Sequence, residues 1–205
     1  MPSPSRSAAP HPAWGPAVVL CGPMGSGKSS VGRALARRWH LTFRDIDDDV
    51  ETTTGRTVAD VFADDGEDRF RQLEREAVAR ALEIHDGILA LGGGAVLDQT
   101  TRSALGRYAA GGGIIVFLDV SEPVAVQRVS RGTTVRPLLS DPERWKQVAD
   151  ARRPVYEQVA TLQVVTDDRT PDEVAAEIER LLQVARTASF GIPVVQPGDP
   201  PGGTS

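Results

Sequence analysis

At 205 residues, with 40% apolar and 25% charged side chains, the chain has the composition of one ordinary globular domain with a full core. A formal net charge of -5 gives no electrostatic case for nucleic acid, and the sequence holds neither a basic run nor an apolar stretch of membrane-spanning length. The single cysteine, Cys21, excludes an internal disulfide framework, so the expected location is cytoplasmic, with neither nucleic acid nor membrane as partner.

Residues 1–15 are rich in Pro, Ser and Ala, lack the apolar segment of a secretory signal, and are expected to be disordered. The folded unit is expected over residues 16–186. It opens with the apolar run Ala17–Cys21, read as a buried strand in which Cys21 is a small buried thiol. Gly22-Pro23-Met24-Gly25-Ser26-Gly27-Lys28-Ser29 then completes the pattern G-x-x-x-x-G-K-[ST] and leads into a helix expected over Lys28–Trp39. That strand–loop–helix setting marks a phosphate-binding loop. The glycines let backbone N–H groups converge on phosphate oxygens at the positive end of the helix. Gly25, Ser26, Gly27, Lys28, Ser29 and Ser30 are therefore read as the binding site of a nucleoside triphosphate, with Lys28 at the outer phosphates and the Ser29 hydroxyl on Mg²⁺.

A second strand, Leu41–Asp45, ends in Asp45-Ile46-Asp47-Asp48-Asp49. Carboxylates beside a phosphate loop serve Mg²⁺ and an attacking hydroxyl, and they equally suit the start of a following helix. The two readings are compatible if the first carboxylates face the site and Asp48 or Asp49 serves the helix. Helices are expected over Thr57–Ala63 and Glu67–Ile84, then a strand over Gly87–Leu91 that runs into Gly92-Gly93-Gly94. A triple glycine at a strand's carboxyl end presents bare N–H groups to a ligand. The strand Ile114–Val120 contains Asp119, read as structural because Asp45 and Asp47 already supply the metal side. A helix over Glu122–Ser130 precedes the aperiodic stretch Arg131–Leu139. A helix over Asp141–Val159, a strand over Thr161–Thr166 and a helix over Pro171–Ala185 follow, and residues 187–205 form a Pro- and Gly-rich tail expected to be loose. Alternating strands and helices imply a parallel sheet covered on both faces, with ligands at the strands' carboxyl ends. Arg71, Arg131, Arg136, Arg152 and Arg153 are candidates to grip a phosphate or a carboxylate, although any one of them alone reads as a surface charge. Composition and spacing stop at a small P-loop phosphotransferase.

Several separated motifs, in order, resemble the shikimate kinase family: Gly22–Ser30, Asp45-Ile46-Asp47 with Glu51, Gly66-Glu67 through Phe70-Arg71 and Glu74, Gly92-Gly93-Gly94, Thr134-Val135-Arg136-Pro137-Leu138-Leu139, and Arg152-Arg153-Pro154-Val155-Tyr156. The resemblance spans about Val18 to Leu182. It implies an α/β, three-layer α/β/α P-loop kinase fold with a central five-stranded parallel sheet, substrate-binding helices and a mobile lid at about 131–140. It implies transfer of phosphate from ATP to the 3-hydroxyl of shikimate, with one Mg²⁺ per subunit. By the same resemblance Arg71 and Arg152 hold the shikimate carboxylate, and Asp47 holds ring hydroxyls and acts as base. Gly93 and Gly94 complete that pocket between Phe62 and Phe70. Asp45 stands on the metal side, Arg136 is the lid arginine, and Arg128 with the turn at Arg169 flanks the adenine. Val129 stands where the family often carries a further arginine. A monomer is the default expectation.

Two other readings stay open on the sequence. Another small-molecule or nucleoside monophosphate kinase on the same fold shares the loop and lid, but a monophosphate kinase must neutralise a second phosphate, whereas an aspartate pair beside the loop suits a polyol acceptor. A nucleotide-gated regulatory protein without catalysis is the other, against which stand all the residues a phosphotransferase needs.

Overall fold

The computed structural model describes residues 15–130 and 142–189. Five strands, β1 (Val18–Cys21), β2 (Phe43–Asp45), β3 (Ile88–Ala90), β4 (Ile115–Asp119) and β5 (Leu162–Val165), form one sheet in the order β2-β3-β1-β4-β5. All four pairings are parallel, and Leu20 lies level with Ala90 of β3 and Val116 of β4. The described residues hold seven α-helices, α1 (Lys28–Trp39), α2 (Ile46–Thr54), α3 (Val58–Ile84), α4 (Gln99–Ala110), α5 (Glu122–Ser130), α6 (Pro142–Val159) and α7 (Pro171–Ser189).

The period-two alternation of a strand sorts its side chains into two cores. Val18 and Leu20 point toward α1 and α7, where they join Val116, Leu118, Val31, Leu35, Trp39, Ile178 and Leu182. Val19 and Cys21 point the other way, into a cluster with Leu89, Phe117, Val78, Leu82, Leu105, Tyr108 and Tyr156. Both faces of the central strands are thus apolar, as a parallel sheet between two helical layers requires. β1 sits centrally, and the chain leaves it first toward β2 and β3, later toward β4 and β5. A crevice therefore opens beyond its carboxyl end.

All five expected strands are present. The expected break between two helices falls inside α3, at Gly66 (φ 82°, ψ 173°). The sequence carries α2 only as one reading of the acidic cluster, and it does not include α4 or the short 3-10 turn Ala95–Leu97. α4 has few apolar positions to show a period, burying Thr101, Leu105 and Tyr108, and its start is fixed by Asp98 accepting from the Thr101 amide. α7 extends to Ser189, four residues past the expected end at Ala185. The N-terminal segment, the stretch 131–141 that includes Arg136, and the tail beyond 189 lie outside the described residues. Among the described residues, no helix is long and apolar enough to cross a membrane.

Candidate active site

The phosphate loop leaves β1 at Cys21 and closes at Lys28, the first residue of α1. Its tightest point is Gly22, with φ at 144° and an imagined Cβ only 2.5 Å from the Leu118 carbonyl oxygen, so only glycine fits there. Ser26 is fully buried, and its hydroxyl has no hydrogen-bond partner among the described residues. Lys28 lays its ammonium across the mouth of the loop, donating to the carbonyls of Gly22 (2.9 Å) and Pro23 (3.0 Å). Cys21, beneath the loop, is 1% exposed, and burial pushes its thiol pKa up to about 12, so it is an inert core residue.

Ser29 donates its hydroxyl to Asp45 Oδ2 at 2.6 Å, joining the first turn of α1 to the carboxyl end of β2. The other Asp45 oxygen accepts the Asp47 amide and so caps α2. The capping role thus falls on Asp45, while Asp47, Asp48 and Asp49 fill the first turn of α2 and Asp49 pairs with Arg44 at 2.6 Å. One residue therefore serves both the helix and the phosphate loop. Burial, then repulsion from Asp45, raises the Asp48 carboxyl above its ordinary value.

Across the crevice, the glycine loop brings the remaining predicted residues together. A Cβ on Gly92 would fall 3.2 Å from Asp47 Oδ1 and 2.1 Å from Glu74 Oε1, and one on Gly94 would fall 2.4 Å from Arg71 Nη1. Asp47, Glu74 and Arg71 therefore lie directly against the bare glycine backbone. Arg71 lies over the Phe70 ring at 5.2 Å, and Phe70 packs against Phe62 with centroids 4.4 Å apart and the rings tilted by 31°. Phe70 is buried and Phe62 stands at the exposed rim. From α6, Arg152 Nη1 approaches the Gly93 carbonyl at 3.4 Å, and the Tyr156 hydroxyl donates to the same oxygen.

Glu74 is the residue whose role sequence reasoning missed. Its side chain is almost fully buried, one oxygen accepts from Arg71 at 2.7 Å, and the other has no hydrogen-bond partner among the described residues. Burial raises its pKa, and the pull of Arg71 and Arg152 offsets this only in part. Arg71 feels the converse: burial opposes its charge, but Glu74 and Glu67 outweigh that and hold it firmly protonated. The signal was available in the spacing, because Phe70, Glu74, Val78 and Ala81 share the buried face of α3.

On the nucleotide side, Arg128 of α5 lies across the phosphate loop. Its guanidinium donates to Thr166 Oγ1 at 2.9 Å and reaches the carbonyls of Gly25, Thr166 and Arg169. The structure therefore places Arg128 beside the turn at Arg169, next to the phosphate loop. Asp119 is occupied elsewhere, accepting from Arg153 (2.9 Å) and Gln163 (3.1 Å), which makes it a structural tie between β4, β5 and α6.

Two oxygens, Ser29 Oγ and Asp45 Oδ2, thus converge beside a loop built for phosphate. Such a pair fits Mg²⁺, which takes one or two protein oxygens together with waters and substrate phosphates. Facing it are a carboxylate, Asp47, and a half-buried arginine, Arg71, groups whose chemistry suits hydroxyls and a negative charge respectively.

Comparison with known proteins bears on the identity of this site. The family model described as shikimate kinase matches residues 24–183. A shikimate kinase of Salinispora arenicola is 51% identical over 169 residues, covering 82% of this chain and 98% of that protein. A shikimate kinase of Mycobacterium tuberculosis is 44% identical over 172 residues, covering 82% and 94% respectively. A solved shikimate kinase from Acinetobacter baumannii in complex with shikimate superposes with a TM-score of 0.77 at 30% identity, over 85% of this chain and 96% of that one. A gluconokinase from Sinorhizobium meliloti, at 24% identity and a TM-score of 0.56, shares the fold alone. With the match spanning most of the chain, the protein belongs to the shikimate kinase family.

Proposed function

We propose that the protein transfers the γ-phosphoryl group of ATP to the 3-hydroxyl of shikimate, giving shikimate 3-phosphate and ADP. The observation that carries this reading is the crevice itself. Arg71, seated on Gly94 and tied to a buried Glu74, faces the carboxylate of Asp47 across the triple glycine, within reach of the phosphate loop. The acceptor would be held by its carboxylate on Arg71 and Arg152 and by its hydroxyls on Asp47, with Gly93 and Gly94 beneath it and Phe62 and Phe70 beside it.

Asp47 orients the 3-hydroxyl for in-line attack and accepts its proton, a contribution on the order of 10²–10⁴-fold. Lys28 and the loop amides from Gly25 to Ser30 hold the phosphates, and Arg136 is assigned to the same charge by the family resemblance. Arg128 and the turn at Arg169 flank the adenine. Ser29 and Asp45 would hold one Mg²⁺, which when bound neutralises charge on the phosphate oxygens. The aspartate beside the loop favours a polyol over a nucleoside monophosphate, whose second phosphate needs cations at that place. We assign the protein to the cytoplasm as a monomer, in keeping with its composition.

An ADP-release assay with Mg-ATP tests the reading, using shikimate, gluconate and nucleoside monophosphates in parallel. Release that depends on shikimate alone is expected. Release with another acceptor instead would overturn the roles given to Arg71 and Arg152, and ATP binding without turnover of any acceptor would overturn catalysis itself.

A further inference from the structure

The donor and acceptor loops meet at the carboxyl end of β1, and one helix touches both. A Cβ on Gly93 would stand 3.7 Å from the Gly22 carbonyl oxygen and 3.7 Å from the Met24 nitrogen, so the glycine loop rests directly on the phosphate loop. Helix α6 runs past this junction. Its residues 145, 149, 152 and 156 recur at a spacing of three to four and so share one face. From that face Arg152 and Tyr156 reach the Gly93 carbonyl, and Trp145 donates its indole N–H to the Met24 carbonyl at 3.2 Å. Trp145 is 5% exposed and packs against Val120 and Ala125. Ala125 in turn abuts the phosphate loop, since a Cβ on Gly25 would meet it at 2.9 Å.

The Met24 carbonyl and the Gly25 N–H belong to one planar trans peptide, so they point in opposite directions. Holding the carbonyl down against α6 therefore aims the Gly25 N–H the other way. We propose that Trp145 is a positioning residue for the phosphoryl donor: it fixes the tilt of the Met24–Gly25 peptide relative to the acceptor glycine that the same helix holds. This rests on the kinase reading above, deepening it by naming the side chain that keeps the two substrate loops in register. It is distinct from a packing role, because it depends on the indole N–H and not on the ring's volume.

The test replaces Trp145 with β-(3-benzothienyl)alanine, the isosteric residue that keeps the bicyclic ring and deletes the N–H donor. Shikimate-dependent turnover of the wild type, measured first, separates failure of this inference from failure of the kinase reading. The expected result is a fall of about 5- to 10-fold in kcat/KM for ATP, the size of one lost hydrogen bond. Shikimate affinity measured without nucleotide should stay near wild type. Wild-type kcat and KM for ATP in the variant would overturn the proposal, as would an equal loss of affinity for both substrates. A second measurement does not depend on that variant folding. With Trp14 and Trp39 both changed to Phe, Trp145 is the sole indole, and a non-hydrolysable ATP analogue with Mg²⁺ should change its emission. Emission unmoved at saturating analogue would overturn the proposal.

Discussion

Replacing Gly94 by alanine separates the seating of Arg71 from its charge. The backbone at Gly94 is in the right-handed helical region (φ -102°, ψ -7°), so alanine brings no conformational strain there. The new Cβ would lie 2.4 Å, 2.5 Å and 2.6 Å from Nη1, Nη2 and Cζ of Arg71. An unstrained contact needs about 3.5 Å, so the guanidinium must retreat by roughly 1 Å. That retreat breaks the 2.7 Å bond to the buried Glu74 and leaves the arginine only its bonds to the exposed Glu67. A displacement of this size costs on the order of 10²-fold when it misplaces a substrate-positioning group. We therefore expect kcat/KM for shikimate to fall about 10²-fold in Gly94→Ala, with ATP affinity within about 2-fold of wild type. Steady-state kinetics with each substrate varied in turn would measure both, with calorimetry for binary ATP binding. Wild-type kinetics toward shikimate would refute the argument that Arg71 reaches its substrate only from its seat on this glycine.

Asp45→Asn should keep the cap on α2, since asparagine caps about as well as aspartate, and leave stability within about 0.5 kcal/mol by urea unfolding. It should nonetheless raise the Mg²⁺ concentration needed for half-maximal activity, and an unchanged Mg²⁺ titration would remove Asp45 from the metal side. Glu74 has a folded pKa raised by burial, so the folded state holds its proton more tightly than the unfolded chain. Its stabilising contribution is fully present below the unfolded carboxyl value and is lost as pH rises through the folded one. The Tm of Glu74→Gln relative to wild type should therefore become more favourable as pH rises from about 4 to 7; a pH-independent difference would contradict the burial argument. Thr57 and Asp60 form a reciprocal capping box at the start of α3, so Thr57→Ala should cost about 1 kcal/mol in urea unfolding, with no change in nucleotide affinity.

How much of this was legible in the sequence depended on whether a signal was local. The strand–loop–helix around Lys28 announces itself, because the apolar run, the glycines and the helix all lie within about twenty residues. The five strands followed because those at the centre of the sheet are buried on both faces and read as unbroken apolar runs. α4 stayed hidden because its buried side includes Thr101, which carries no hydrophobic period. The double service of Asp45, cap and partner of Ser29, needs two elements sixteen residues apart to be brought together. The burial of Glu74, a motif residue given no role, and the contact made by Trp145 were hidden for the same reason. A glutamate on a helix face is a solvated charge until the fold buries it against glycine backbone. A tryptophan on a helix is core until its N–H finds a carbonyl in a loop 121 residues away. The order of motifs pointed to the family, but only the fold shows why Gly92 and Gly94 must be bare, with Asp47 and Glu74 filling the space of a Cβ on the first and Arg71 that of a Cβ on the second.

The most direct test of the account is the position of the phosphate on the product. Phosphorus–proton correlation NMR on the reaction of the protein with Mg-ATP and shikimate identifies which hydroxyl has been esterified. Asp47 as the base beside the phosphate loop predicts coupling of phosphorus to the ring proton at carbon 3 alone. Coupling to another ring position, or no phosphorylated shikimate at all, would contradict the assignment of the crevice.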